Sequence, residues 1–126
     1  PQSINNTATE VLPLGRSVIL KEKLSVTSTA FPNELVQYTI TDLPDAGRLM
    51  LYGAELMVGD TFQQDDINGL GLFYENTDDS ADTDDFGFLV TTPDGGYLPI
   101  AYHDIIVTEG AITSNRSVNA IDDGLV

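Results

Sequence analysis

Cysteine is absent from this chain of 126 residues, so neither a disulfide framework nor thiolate chemistry is open to it. Positive charge is scarce. Five Lys and Arg stand against twenty Asp and Glu, giving a formal net charge of −15. That balance argues against nucleic acid and anionic membrane surfaces as partners, and it suits cations or a protein that stays soluble in salt or on a cell surface. The five bases, Arg16, Lys21, Lys23, Arg48 and Arg116, are scattered and build no basic patch. No apolar run approaches the roughly 18 residues that would suggest a membrane-spanning helix, so membrane insertion is not expected. No signal peptide is visible either. The polar, irregular ends "PQSINNT" and "SNRSVNAIDDGLV" read as the flanks of a segment from a longer polypeptide. Helical patterning is almost missing. "TFQQDDING" (61–69) is expected to make one short turn, with Thr61 as its cap and Gly69 as its stop. "LKEKLSV" (20–26) is too short to form a helix by itself.

Short runs with apolar residues at every second position are what the chain does have. "LVQYTIT" (35–41) sets Val36, Tyr38 and Ile40 against Gln37, Thr39 and Thr41. "FGFLVTT" (86–92) sets Phe86, Phe88 and Val90 against Gly87, Leu89 and Thr91. "TEVLPL" (9–14), "SVIL" (17–20), "GLFYE" (71–75) and "LPIAYHDIIVT" (98–108) read as further strands. "RLMLYGAELMV" (48–58) reads as a hairpin about Tyr52-Gly53, while "LPDAG" (43–47) and "PDGG" (93–96) read as turns. The spacing predicts an all-β fold, an antiparallel β-sandwich of about seven strands with one short helical turn. Its core is expected to hold Val36, Tyr38, Ile40, Leu49, Leu51, Phe62, Leu72, Tyr74, Phe86, Phe88 and Val90.

Chemistry-bearing residues are few. His103, the one histidine, lies beside Tyr102 in a predicted strand, so one of the two faces the core and the other faces out. Paired carboxylates at 65–66, 78–79, 84–85 and 122–123 lack an apolar pocket to raise one pKa, and no nucleophile, base and orienting group can be named together. The domain is not expected to be an enzyme. "DGG" and "NGLG" are glycine turns without a phosphate-binding fingerprint. Two sequons, Asn5-Asn6-Thr7 and Asn115-Arg116-Ser117, stand near the ends.

The densest feature is "ENTDDSADTDD" (75–85), with six carboxylates in eleven residues. Calcium accepts irregular cages of oxygen ligands, and Asp78, Asp79, Asp82 and Asp84 are the candidate ligands. An EF-hand is excluded, because the required glycine and closing glutamate are missing. A solvated connection between two strands is the competing reading. "IDDG" (121–124) is a second candidate for a cation, shared with a following repeat.

Residues 36–90 carry a recognisable order. They supply Tyr38 and Ile40; Leu43, Pro44, Gly47 and Leu49; Gly53, Leu56, Gly59, Asp60, Phe62, Asp66 and Ile67; Leu72 and Tyr74; and Asp84-Asp85-Phe86 with Phe88 and Val90. This series resembles the cadherin-like repeat of the chondroitin sulfate proteoglycan type, as found in large bacterial surface and adhesin proteins. The resemblance implies a cadherin/immunoglobulin-like sandwich over residues 1–110, with 111–126 as a C-terminal extension or linker to a following repeat. It also implies a structural or spacer repeat of a long extracellular or cell-surface adhesion protein, with neighbouring repeats of the same polypeptide as partners and calcium as a stabilising ion. The alternative is a glycan- or protein-binding module appended to a larger secreted protein or enzyme. One departure bears on calcium. Cadherin-like domains often carry an Asp-x-Asp pair after the second strand, and the corresponding "VTSTAFPNE" (26–34) has Glu34 as its only acid.

Overall fold

A computed structural model describes residues 2–28, 32, 35–93 and 95–110. Among these lie eleven strands and one helix. The strands are β1 (Gln2–Asn6), β2 (Thr9–Val11), β3 (Arg16–Val18), β4 (Leu24–Ser28), β5 (Gln37–Asp42), β6 (Gly47–Leu51), β7 (Ala54–Glu55), β8 (Thr61–Gln63), β9 (Leu72–Asn76), β10 (Thr83–Thr91) and β11 (Ala101–Val107). The helix α1 (Gln64–Asn68) follows β8 directly. A five-stranded sheet runs β2-β11-β10-β5-β8, a four-stranded sheet runs β3-β9-β6-β7, and β1 pairs with β4. All pairs are antiparallel except β2 with β11, which run parallel. The expected all-β sandwich is present, with more and shorter strands than the spacing alone predicts.

Period-two alternation decides which faces meet. Val11, Ile40, Tyr38, Phe86, Phe88, Val90, Ile105 and Val107 come from the larger sheet, and Leu49, Leu72 and Tyr74 from the smaller. All belong to one continuous core. Tyr38 stacks on Phe62 at 4.9 Å between ring centroids, and Phe88 tilts against Tyr38 at 5.4 Å. Of the expected core only Leu51 departs. It is half-buried, at the end of β6 where the chain turns away through Tyr52 and Gly53. That turn holds both residues at positive φ (50° and 87°), the twist a two-residue hairpin needs.

Three strands lie where the pattern reads differently. β1 is mostly polar and is held by its ladder with β4, not by alternation. β4 occupies the end of the stretch with weak helical character, and buries Leu24 and Val26 at period two. β8 takes the first three residues of the predicted helical turn, because Thr61–Gln63 pair with Gln37–Thr39 of β5. The helix therefore starts after Gln63, whose backbone N–H donates to the Asp66 carboxylate at 2.8 Å. It ends as expected at Gly69, which donates to the Asp65 carbonyl at 2.9 Å. Ile67 pins it to the core.

Gln64 couples this helix to the sandwich. Its side chain is buried at 2% exposure. The carboxamide oxygen accepts from the Val26 N–H at 3.1 Å and from the Tyr38 hydroxyl. The amide nitrogen donates to the Asn68 side-chain oxygen at 3.1 Å and to the Leu24 carbonyl at 3.5 Å.

Candidate functional site

The acidic stretch does not stay in one loop. Glu75 belongs to β9 and faces two bases, Arg48 at 3.2 Å and Arg16 at 3.7 Å. Arg16 also lies over the Phe73 ring, 5.1 Å from its centroid. At the other end of the stretch, β10 begins at Thr83, so Asp84 and Asp85 are strand residues opposite Ile105 and Asp104. Only residues 77–82 connect β9 to β10.

Asp84 occupies the inward register of β10, in phase with Phe86, Phe88 and Val90. One carboxylate oxygen accepts from the backbone N–H groups of Asp45 and Asp85, each at 2.9 Å. The other accepts from the Ala46 N–H at 3.0 Å and the Tyr74 hydroxyl at 2.6 Å. Four donors thus converge on one carboxylate, which clamps the 43–47 turn onto β10. Burial pushes the Tyr74 hydroxyl above its ordinary pKa, and the Asp84 carboxylate adds to the effect, so this phenol remains a donor. Gly47 makes the approach possible, since a Cβ there would collide with the Glu75 carbonyl and the Tyr74 ring.

Asn76 completes the knot. It is 2% exposed. Its oxygen accepts from the Leu14 N–H at 2.8 Å, and its amide donates to the carbonyls of Ala46 at 3.0 Å and Asp78 at 3.2 Å. One side chain therefore ties the β2–β3 turn, the 43–47 turn and the 77–82 connection together.

Asp78, Asp79 and Asp82 are exposed. Asp78 accepts from the N–H and hydroxyl of Ser80 at 3.0 and 2.6 Å, and these bonds hold its carboxyl below the usual range. A groove of about 480 Å³ lies along the start of β10 and its partner β11, lined by Asp45, Asp84, Asp85, Asp104, Ile106 and Ala8 among others. Partial burial pushes the Asp85 carboxyl up, with Asp84, Asp104, Asp45 and Asp42 adding repulsion.

The four candidate calcium ligands do not assemble. Among the described residues, no group of three or more Asp, Glu or His side chains is placed to hold a metal ion. Asp84 points into the fold with both oxygens occupied, whereas calcium asks for roughly six to eight oxygen ligands. The second candidate, 121–124, and the 29–31 and 33–34 stretch lie outside the described residues.

His103 is the buried member of its pair with Tyr102, as alternation requires. Its two ring nitrogens lie 2.8 Å from Thr9 Oγ1 and 2.8 Å from Asn6 Oδ1. Tyr102, on the outer face, donates its hydroxyl to Asp42 at 2.6 Å.

Sequence reasoning grouped Asp84 with the loop and missed its clamp. The signal was there in its parity with Phe86, Phe88 and Val90, which marks a carboxylate turned towards the core. Its partners at 45–46 are set by the fold and leave no local trace.

Comparison with curated proteins gave no match. A family model described as cadherin-like matches residues 1–102, which span β1 to the first residues of β11. With that match over most of its length and a sandwich to go with it, the chain belongs to the cadherin-like family.

Proposed function

We propose that this domain is a structural repeat, a spacer in a long extracellular or cell-surface adhesion protein of the bacterial adhesin kind, covering residues 1–110 and followed by a linker towards a neighbouring repeat. Cadherin-like domains are modules of repeat or adhesion type, typically extracellular and not generally enzymatic. No helix among the described residues is long and apolar enough to cross a membrane. One observation carries the reading: the polar side chains with most chemical potential are spent on holding the sandwich together. Asp84 accepts four donors, and His103 is engaged at both nitrogens. The test is small-angle scattering on the domain together with the segments that flank it in its parent chain. A spacer gives an extended particle with rod-like scattering. A compact particle, or a domain that binds an arrayed glycan at micromolar concentration, would favour the binding-module alternative.

The acidic surplus favours one addition, calcium stabilisation through the exposed Asp78, Asp79 and Asp82, with Asp84 left in its clamp. Binding must then draw the three carboxylates together. Extracellular calcium modules bind at roughly 10⁻⁴–10⁻³ M, so ~10 mM calcium is expected to stabilise the fold by about 1.4–2.7 kcal/mol. Magnesium at equal ionic strength controls for screening. Identical melting midpoints in calcium, magnesium and chelator rule the addition out.

A further inference from the structure

The N-terminal segment changes sheets within a few residues. β1 pairs with β4, and after Thr7 and Ala8 the chain continues as β2, alongside β11. His103 lies on β11 under this crossing, fully buried, and reaches one residue on each side of it. The Asn6 amide donates to the Tyr102 carbonyl at 2.8 Å, which turns its oxygen towards the ring. Nδ1 therefore carries the proton and donates to Asn6, and Nε2 accepts the Thr9 hydroxyl. The ring is neutral, with its tautomer set by the strand it holds.

The surroundings offer an imidazolium no counter-charge. From β1 and β2 the facing side chains are Asn6 and Thr9, and from β10 it is Phe86, at 5.5 Å between ring centroids. The charged group that acts on it is Lys23, of the turn before β4, and its sign is the wrong one. Glu10, Asp85, Tyr102 and Asp104 are exposed, in the outward register of their strands. The Thr9 hydroxyl can rotate to accept from a protonated ring, so the cost of protonation lies in the buried charge itself.

We propose that His103 is an acid-sensitive latch: it holds residues 2–11 on the sandwich while neutral, and its protonation in mild acid releases that segment while the β5–β10 core stays folded. Burial, with Lys23 adding to it, pushes the ring from 6.5 down to about 4. A ring uncovered by opening of the segment titrates at its ordinary value. Between those two values the open state binds a proton that the closed state does not, so each unit of acidification favours opening tenfold.

Hydrogen exchange by NMR tests this, read as protection factors so that the intrinsic pH dependence of exchange is divided out. Between pH 7.5 and pH 4.5, protection of the β1 and β2 amides is expected to fall about 100-fold. Protection in β5 and β10 should fall far less. His103→Gln should flatten the dependence for the N-terminal amides. Should that variant not fold, the unaltered protein decides: the N-terminal protection must fall with acid more than that of β5 and β10, and the ring must show no inflection near pH 6.5. Constant N-terminal protection, loss in β5 and β10 by the same factor, or a ring titrating at 6.5 with the segment still closed would each overturn the latch.

Discussion

The two ends of the sandwich face the same problem and solve it with different groups. β10 runs between them: Asp84 stands near its start, and Thr91, at its end, lies opposite Gln37, which pairs with Gln63 just before α1. At each end, turns bring polar backbone groups out of the ladders and must give them partners. Around Asp84, at the start of β10, the groups to be satisfied are all donors, three backbone N–H groups and the Tyr74 hydroxyl, while the Ala46 and Asp78 carbonyls go to the Asn76 amide. An acceptor-only carboxylate suits them, and charge strengthens each bond. At the α1 end the neighbours are mixed. Val26 and Tyr38 donate, while Leu24 and Asn68 accept. Only an amide answers both kinds. The acid at one end and the amide at the other thus follow from the sign of what surrounds them.

Exchanging the two chemistries is the direct way to break this comparison. Gln64→Glu should have the largest effect. It replaces a donor by an acceptor against the Leu24 carbonyl and the Asn68 oxygen, and it buries a charge among partners none of which is a cation. An uncompensated buried charge costs about 3–5 kcal/mol. The folded-state pKa of the new acid would lie above its unfolded value, so the loss is full above that pKa and shrinks as pH falls through it. Denaturant melts at pH 7 and pH 5 measure both. A loss under ~1 kcal/mol at pH 7 would mean that Gln64 is less firmly enclosed than its bonds imply.

Asp84→Asn is the milder reciprocal exchange. One oxygen becomes an NH2 group facing two donors, and the remaining bonds lose their charge assistance. About 1–3 kcal/mol is expected at pH 7. Hydrogen exchange should rise first at the Asp45 and Ala46 amides. An unchanged melt would reduce the clamp to a surface contact.

How legible each end was in the sequence follows from the same contrast. The long strands were readable because Tyr38, Ile40, Phe86, Phe88 and Val90 repeat at period two over a shared core. β1 and β8 were not, since a polar or three-residue strand exists only through its partner. Charge density drew attention to 75–85 as a unit. The ladder with β11 then divided it, leaving Glu75 with its arginines, Asp84 in the core register, and Asp78, Asp79 and Asp82 in solvent. Gln64 gave no signal, because its four partners come from β4, β5 and its own helix. Composition announces charge, but donor and acceptor counts appear only once the turns are folded.

The smallest effect separates the clamp from the charge around it. Asp85 is next to Asp84 but stands opposite Asp104 across β10 and β11, two carboxylates in directly facing positions. Like charges so placed repel. Its folded-state pKa is raised, first by partial burial and then by Asp84, Asp104, Asp45 and Asp42. The folded state therefore takes up this proton before the unfolded state does. Asp85 destabilises the fold above its folded pKa, and acid relieves that penalty as pH falls through it. Asp78 has the opposite sign: the Ser80 bonds lower its pKa, so its contribution is present above the unfolded value and fades as pH falls through the folded one. Asp85→Asn should stabilise the domain at pH 7 by less than about 1 kcal/mol, because solvent and salt screen an exposed pair. The gain should shrink in ~1 M salt and fade as pH falls through the raised folded-state pKa, where the native carboxyl takes up its proton. Substitution at two adjacent strand positions by the same amide would then move stability in opposite directions. A destabilising Asp85→Asn would show that total acidity at this end matters more than which carboxylate the turn donors reach.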